Sequence, residues 1–399
     1  MSEIYDFDRV IDRKQTNDMK WHSAAVSKFM PYEFPEDMIP MWLADTEFGC
    51  APVIIEALHN RVEKEIFGYC SPGRSFYESV CFWQKKQFNW EIQSDWISVV
   101  PTVVAGINVA IRAFTEEGDG VIIQQPVYDP FASLIRKTGR RIVNNGLLQN
   151  NGRYEMNFSE LEKLAAVPEN KLMILCSPHN PVGRVWTEGE LRRVAEICFA
   201  NNMLLVTDEI HSDIVYDGYV HHPLPALDDQ YEERTILFTA PGKTFNVAGL
   251  KTSIAVIPDE RIRKRFNTVK DAMSLDISNT FGIEAVTAAY SPEGHAWMEE
   301  ELSYLQNNVD FLERYITKYM PGVSMIRPEG TFLCWLDLTD LGFSDEALLH
   351  MIALEAAVIC VPGTWFGPGG EGHLRLNIGC PQSMLAAALD RMRAVLYKS

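Results

Sequence analysis

Residues 172–211 read LMILCSPHNPVGRVWTEGELRRVAEICFANNMLLVTDEIH, and this stretch decides the fold. It opens on a continuous apolar run, Leu172 to Cys176, passes through a turn rich in Pro and Gly, and closes on a second apolar run, Leu204 to Thr207. Between the runs, Thr187 and Glu190 form a capping-box pattern, and Leu191, Val194, Ala195 and Cys198 fall on one helical face. A strand, a crossover helix and a strand follow in that order. Because the runs lack polar alternation, the spacing predicts strands buried on both faces of a parallel sheet.

Working outward, Val121 to Ile123, Ile236 to Phe238 and Ser253 to Ile257 are further apolar runs of the same kind. PTVVAGINVAIRAF, from Pro101, changes from extended to helical and sets Val103 and Val104 at a helix N-terminus. A long helical pattern begins near Pro292, with Leu302, Leu305, Val309, Leu312 and Ile316 three and four apart. Beyond Met325, the pieces TFLCWLDL, AAVICVPG and HLRLNIG, with two helical stretches, predict a compact α+β unit. The expected fold is therefore α/β. It comprises an irregular N-terminal arm and part of the small domain (1–48), a large domain with a mostly parallel sheet flanked by helices (49–290), and a small C-terminal α+β domain (291–399). The arm is expected to wrap over the body rather than join a sheet.

A length of 399 residues suits two packed domains, and 47% hydrophobic with 23% charged residues is ordinary folded composition. With 36 basic against 54 acidic residues, the net charge of −18 argues against nucleic acid or an anionic membrane as partner. The chain has no apolar run long enough to span a bilayer, and its N-terminus, MSEIYDFDRVIDRK, is charged, so a cytoplasmic location is expected. Eight cysteines without a CxxC pair read as reduced apolar fillers. The adjacent His221 and His222 lack a third ligand at defined spacing, and no metal is expected.

Ligands of open α/β sheets sit at the carboxyl ends of the strands. Those ends carry Asn180 in SPHNPVGR, Asp208 and His211 in DEIHSDI, Lys243 in TAPGKTFNVAGLK and Tyr128 in QQPVYDPF. Each type has a use in holding pyridoxal 5'-phosphate. A lysine among apolar neighbours supplies a nucleophilic amine for the aldehyde. An aspartate keeps the pyridine nitrogen protonated, an asparagine donates to the phenolate oxygen, and a tyrosine offers a stacking face. The amides of Val103 and Val104 suit a phosphate.

SPHNPVGR, DEIHSDI, APGKTFNVAGLK and RLNIG, with the PTVVAG turn, resemble the ordered motifs of fold-type I pyridoxal phosphate enzymes over nearly the whole chain. MWLADTEF, FGYCSPG, the histidine of DEIH and KTFNVAGL resemble the branch of bacterial cystathionine β-lyases and related carbon–sulfur lyases. The resemblance implies a homodimer that cleaves an L-cysteine S-conjugate to a thiol, pyruvate and ammonia, in the amino-acid metabolism of methionine biosynthesis. By the same resemblance Lys243 is the Schiff-base lysine, Asp208 the pyridinium partner and Tyr128 the stacking ring. Asn180 and His211 lie near the phenolate oxygen, and Arg375 grips the substrate α-carboxylate beside Asn180 and Tyr128. Tyr69 reaches the phosphate of the neighbouring subunit's cofactor. Two departures stand out. Relatives carry Ser or Thr where this chain has Gly242 or Ala240, and many carry Arg where it has Lys251, leaving Lys251, Thr239 and backbone amides for the phosphate. An aminotransferase shares this cradle and is the alternative reading; a regulator that kept the fold and lost turnover is a third.

Overall fold

Seven strands make one sheet: β1 (Ile97–Val100), β2 (Gly120–Ile123), β3 (Arg141–Asn144), β4 (Asn170–Cys176), β5 (Leu204–Asp208), β6 (Thr235–Thr239) and β7 (Ser253–Val256). Their spatial order is β1-β7-β6-β5-β4-β2-β3. A computed structural model describes residues 5–28, 30, 34–150 and 152–398; within the expected arm, residues 1–4, 29 and 31–33 lie outside the described residues. All five apolar runs are strands. Their side chains alternate between two helical layers, Leu172 and Ile174 facing one core and Met173 and Leu175 the other. Both layers are apolar, so no polar alternation survives in the sequence.

The direction of the last run differs from expectation. β2 to β6 pair in parallel, but β7 is antiparallel to both β6 and β1. The segment joining β6 to β7 holds only a short turn, Ala248–Leu250, and no helix to carry the chain back across the sheet, so it returns as an antiparallel neighbour. Two strands had no sequence reading: the short β1, and the half-exposed edge strand β3, whose RIVN lacks a continuous apolar run.

The helix Val103–Phe114 lies against the sheet at close range. A Cβ on Gly106 would sit 2.3 Å from the Phe238 ring, so only glycine allows this approach. On the opposite face, the helix Glu188–Ala200 starts at the expected capping box: Glu190 N–H donates to Thr187 Oγ1 at 3.3 Å, and Thr187 N–H to Glu190 Oε2 at 2.8 Å. The helix Pro292–Tyr319 buries Leu305, Val309, Leu312 and Ile316. It leads to an antiparallel sheet ordered Ser324–Met325, Leu333–Asp337, His373–Asn377, Val361–Pro362. The arm departs from expectation at one point, where Ile39–Pro40 pairs in parallel with Val358–Ile359. All eight cysteines are free thiols, five of them buried. Among the described residues, no helix is long and apolar enough to cross a membrane.

Candidate active site

Because β7 runs against its neighbours, its first residues arrive at the same edge of the sheet as the last residues of the parallel strands. There, β4 ends at Cys176, β5 at Asp208, and β6 runs on into the turn that bears Lys243. These ends enclose a cavity of about 290 Å³. Of the residues singled out in the sequence, Lys243, Asp208, Asn180, His211 and Tyr128 line it, as do Val103, Val104 and Lys251. Arg375 stands just behind the wall, where its Nη1 donates to Asn180 Oδ1 at 3.0 Å and its Nη2 to the Trp42 carbonyl at 2.7 Å. Its guanidinium also lies 5.1 Å from the centre of the Phe366 ring. Tyr69 is not brought to the cavity of its own chain; it is 95% exposed and lines a separate groove with Phe67, Ile277 and Phe281.

Thr239, offered by the sequence as a phosphate ligand, is buried within β6 and is not on the cavity wall. Thr252 and Ser253 are on the wall instead, together with Thr102. Thr102 was legible in principle, since it caps the helix by accepting from Ala105 N–H at 3.0 Å and directly precedes an apolar helical run. Thr252 and Ser253 carried no such signal, because their place depends on the direction of β7. Of the histidine pair, His221 is taken up by an acid: its Nε2 lies 2.7 Å from Glu209 Oε2 in a buried contact. Among the described residues, no group of three His, Cys, Asp or Glu could hold a metal ion.

Burial dominates the electrostatics. It lowers the Lys243 amine to about 8, against the opposing pull of Asp45 and Asp208 and with the help of Arg375. It raises the Asp208 carboxyl to about 7, although the Ile210 amide, donating at 3.2 Å, and the Lys243 charge both pull it down. Tyr128 is pushed up to about 12 by burial and by Asp208. His211 is held well below its ordinary value by burial, then by Lys243 and Arg375. Arg375, fully enclosed, falls to about 10. Several buried polar atoms here lack a partner, including His211 Nδ1 and Arg375 Nε. Unmet donors and acceptors cost free energy on their own and mark a place built for a polar ligand. The donor set fits pyridoxal phosphate: an amine for the aldehyde, a carboxyl for the ring nitrogen, and a capped helix N-terminus with hydroxyls and Lys251 for the phosphate.

A sheet with these strand ends, and an amine and a carboxyl lining one cavity, defines a cofactor-type crevice at the edge of an α/β sheet. The chain belongs to the class I and II aminotransferase family, which it matches over residues 47–392. Its relatives narrow this further. It is 37% identical over 390 residues to cystathionine beta-lyase PatB of Bacillus subtilis, covering 98% of this chain and 99% of that one. It is 31% identical over 398 residues to protein MalY of Escherichia coli, covering 98% and 100%. The crystal structure of cystalysin from Treponema denticola, which contains a pyridoxal 5'-phosphate cofactor, matches with a TM-score of 0.94 at 35% identity, covering 98% of this chain and 99% of that one.

Proposed function

We propose that the protein is a pyridoxal 5'-phosphate-dependent carbon–sulfur β-lyase that cleaves an L-cysteine S-conjugate such as cystathionine to a thiol, pyruvate and ammonia. The observation that carries this reading is the half-buried amine of Lys243 sharing one cavity with the buried carboxyl of Asp208, each displaced toward neutrality. A relative bearing the lyase name aligns over almost the whole chain. When bound, pyridoxal phosphate supplies an aldehyde that condenses with amines and a ring that accepts the electron pair left at the substrate α carbon.

The chain's residues do the rest. Lys243, lowered to about 8, is a usable base near neutral pH and takes the α proton. Asp208 holds a proton at the ring nitrogen, Tyr128 stacks on the ring, and Asn180 and His211 meet the phenolate oxygen. Backbone amides at Val103 and Val104, with Lys251, take the phosphate. Arg375 turns its fork to the substrate carboxylate, a geometry that a lysine lacks. A second subunit completes the site by bringing its own copy of Tyr69. The exposed apolar run of Ile66 (70%), Phe67 (53%) and Tyr69 (95%) is what such a homodimer would cover.

The test is to incubate the holoprotein with L-cystathionine and no keto acid, measuring pyruvate and free thiol together. Equal release of both is expected. If neither forms, and added keto acid instead draws the amino group off the substrate, the protein is an aminotransferase.

A further inference from the structure

The segment Met41 to Phe48, MWLADTEF, has no regular structure of its own, yet its successive carbonyls are claimed by distant parts of the chain. Arg375 Nη2 donates to Trp42 O at 2.7 Å, Asn377 Nδ2 to Leu43 O at 2.6 Å, and Lys243 Nζ to Ala44 O at 2.6 Å. Asn246, in the Lys243 turn, donates to Thr46 O and Phe48 O, both at 3.0 Å. The side chains of the same segment close a ring of charge. Arg13 reaches Asp45 Oδ2 at 3.1 Å and Glu47 Oε1 at 3.0 Å; Lys20 reaches Asp45 Oδ1 at 3.2 Å and Glu47 Oε1 at 2.7 Å. Lys20 and Glu47 are 1% and 4% exposed and form the buried side of the ring, while Arg13 and Asp45 are half-buried.

Buried ion pairs of this kind rarely stabilise a fold more than apolar packing of the same volume would, because desolvation offsets the attraction. Fixed direction is what a closed ring supplies in exchange. Here it orients the backbone between Trp42 and Thr46, and with it the Ala44 carbonyl that accepts from Lys243. The ring also sets two opposite charges, Asp45 and Lys20, close enough to act on that amine.

We propose that Lys20 and Asp45, held in a ring by Arg13 and Glu47, are positioning residues for Lys243. They aim the Ala44 carbonyl at the amine whenever it is not bonded to cofactor, and their charges act on it in opposite directions. This rests on the reading of Lys243 as the proton-transferring group. The other groups facing the amine are Asp208 on β5, His211 just beyond it and Arg375 on the strand His373–Asn377. Asp45 and Asp208 favour the ammonium form; Arg375, Lys20 and burial oppose it. Loss of the Asp45 charge therefore makes Lys243 a weaker base, and loss of the Lys20 charge makes it a stronger one.

The experiment titrates Lys243 in cofactor-free protein by trace acetylation with acetic anhydride across pH, read by mass spectrometry of the Lys243 peptide against an exposed reference lysine. Asp45→Asn should lower the midpoint and Lys20→Met raise it, each by about half a pH unit or more. The double variant removes both charges, so its midpoint should lie above that of Asp45→Asn and below that of Lys20→Met; the first comparison serves if Lys20→Met alone fails to fold. Shifts in the same direction, no shift, or a double variant displaced further than either single one would overturn the proposal and leave the ring a purely structural device. The titration uses neither substrate nor turnover, so it stands or falls separately from the lyase reaction.

Discussion

Two lysines, the buried Lys20 and the half-buried Lys243, donate to the successive carbonyls of Asp45 and Ala44, and the protein treats them in opposite ways. Lys20 Nζ meets the carboxylates of Asp45 and Glu47 and the Asp45 carbonyl at 2.8 Å. Lys243 Nζ meets a single carbonyl and, among the described residues, forms no ion pair. Burial consequently lowers Lys243 to about 8, while nearby Asp208, also without an ion-pair partner, rises to about 7. A charge surrounded by partners holds a structure in place, whereas a charge deprived of them is ready to give up or take a proton. The first kind of region is scaffold and the second is chemistry, although only one residue of backbone separates them.

Changes that break this contrast should have graded effects. Replacing Lys243 with Ala should lower turnover by about a thousandfold or more while circular dichroism still reports the fold. Activity near wild type would move the reactive amine elsewhere. Replacing Lys20 with Met should cost about 3–5 kcal/mol of stability in urea unfolding, because the buried Glu47 and the half-buried Asp45 both lose a partner. A loss under about 1 kcal/mol would mean that the ring is not scaffold.

Asp208→Asn should slow turnover about 10- to 100-fold, as expected for a charge-assisted hydrogen bond of about 1.5–3 kcal/mol acting on the transition state. It also tests the region through pH. With its folded value raised from 3.8 to about 7, Asp208 keeps a proton in the folded, cofactor-free chain that the unfolded chain has lost. The stability tied to that proton is complete below about pH 4 and is lost as pH rises to about 7. Cofactor-free wild type should therefore weaken relative to the Asn variant across this range, and parallel curves would contradict the buried state of the carboxyl. Arg375→Lys keeps the charge and loses the fork, so kcat/KM for L-cystathionine should fall by more than about tenfold with the cofactor absorbance unchanged. The smallest effect lies outside both regions: Thr187→Ala should cost about 1 kcal/mol through its lost cap and leave kcat/KM unaltered.

Much of the site was legible because its chemistry sits where strands end. Continuous apolar runs located the strands, and the polar residues just beyond them, Asn180, Asp208, His211 and Lys243, do converge on one cavity. Thr252 and Ser253 escaped notice because the reversal of β7 follows from the lack of a crossover helix after β6, not from any feature of those residues. Thr239 was misjudged for the same reason, since nearness to Lys243 in sequence did not bring it to the wall.

What the sequence by itself determined were the local elements and the types of group at their ends. A buried strand must be apolar on both faces, and a helix start must satisfy its free amides, so both leave periodic or positional marks within a single element. Only the tertiary structure decided which amine faces which acceptor. Lys243 and Ala44 lie 199 positions apart, and Arg375 and Trp42 lie 333 apart. A backbone carbonyl is the same group in every residue, so nothing in the letters at 42 and 44 distinguishes them as acceptors. The packing of the arm against the Lys243 turn and the small sheet gave those two carbonyls their role.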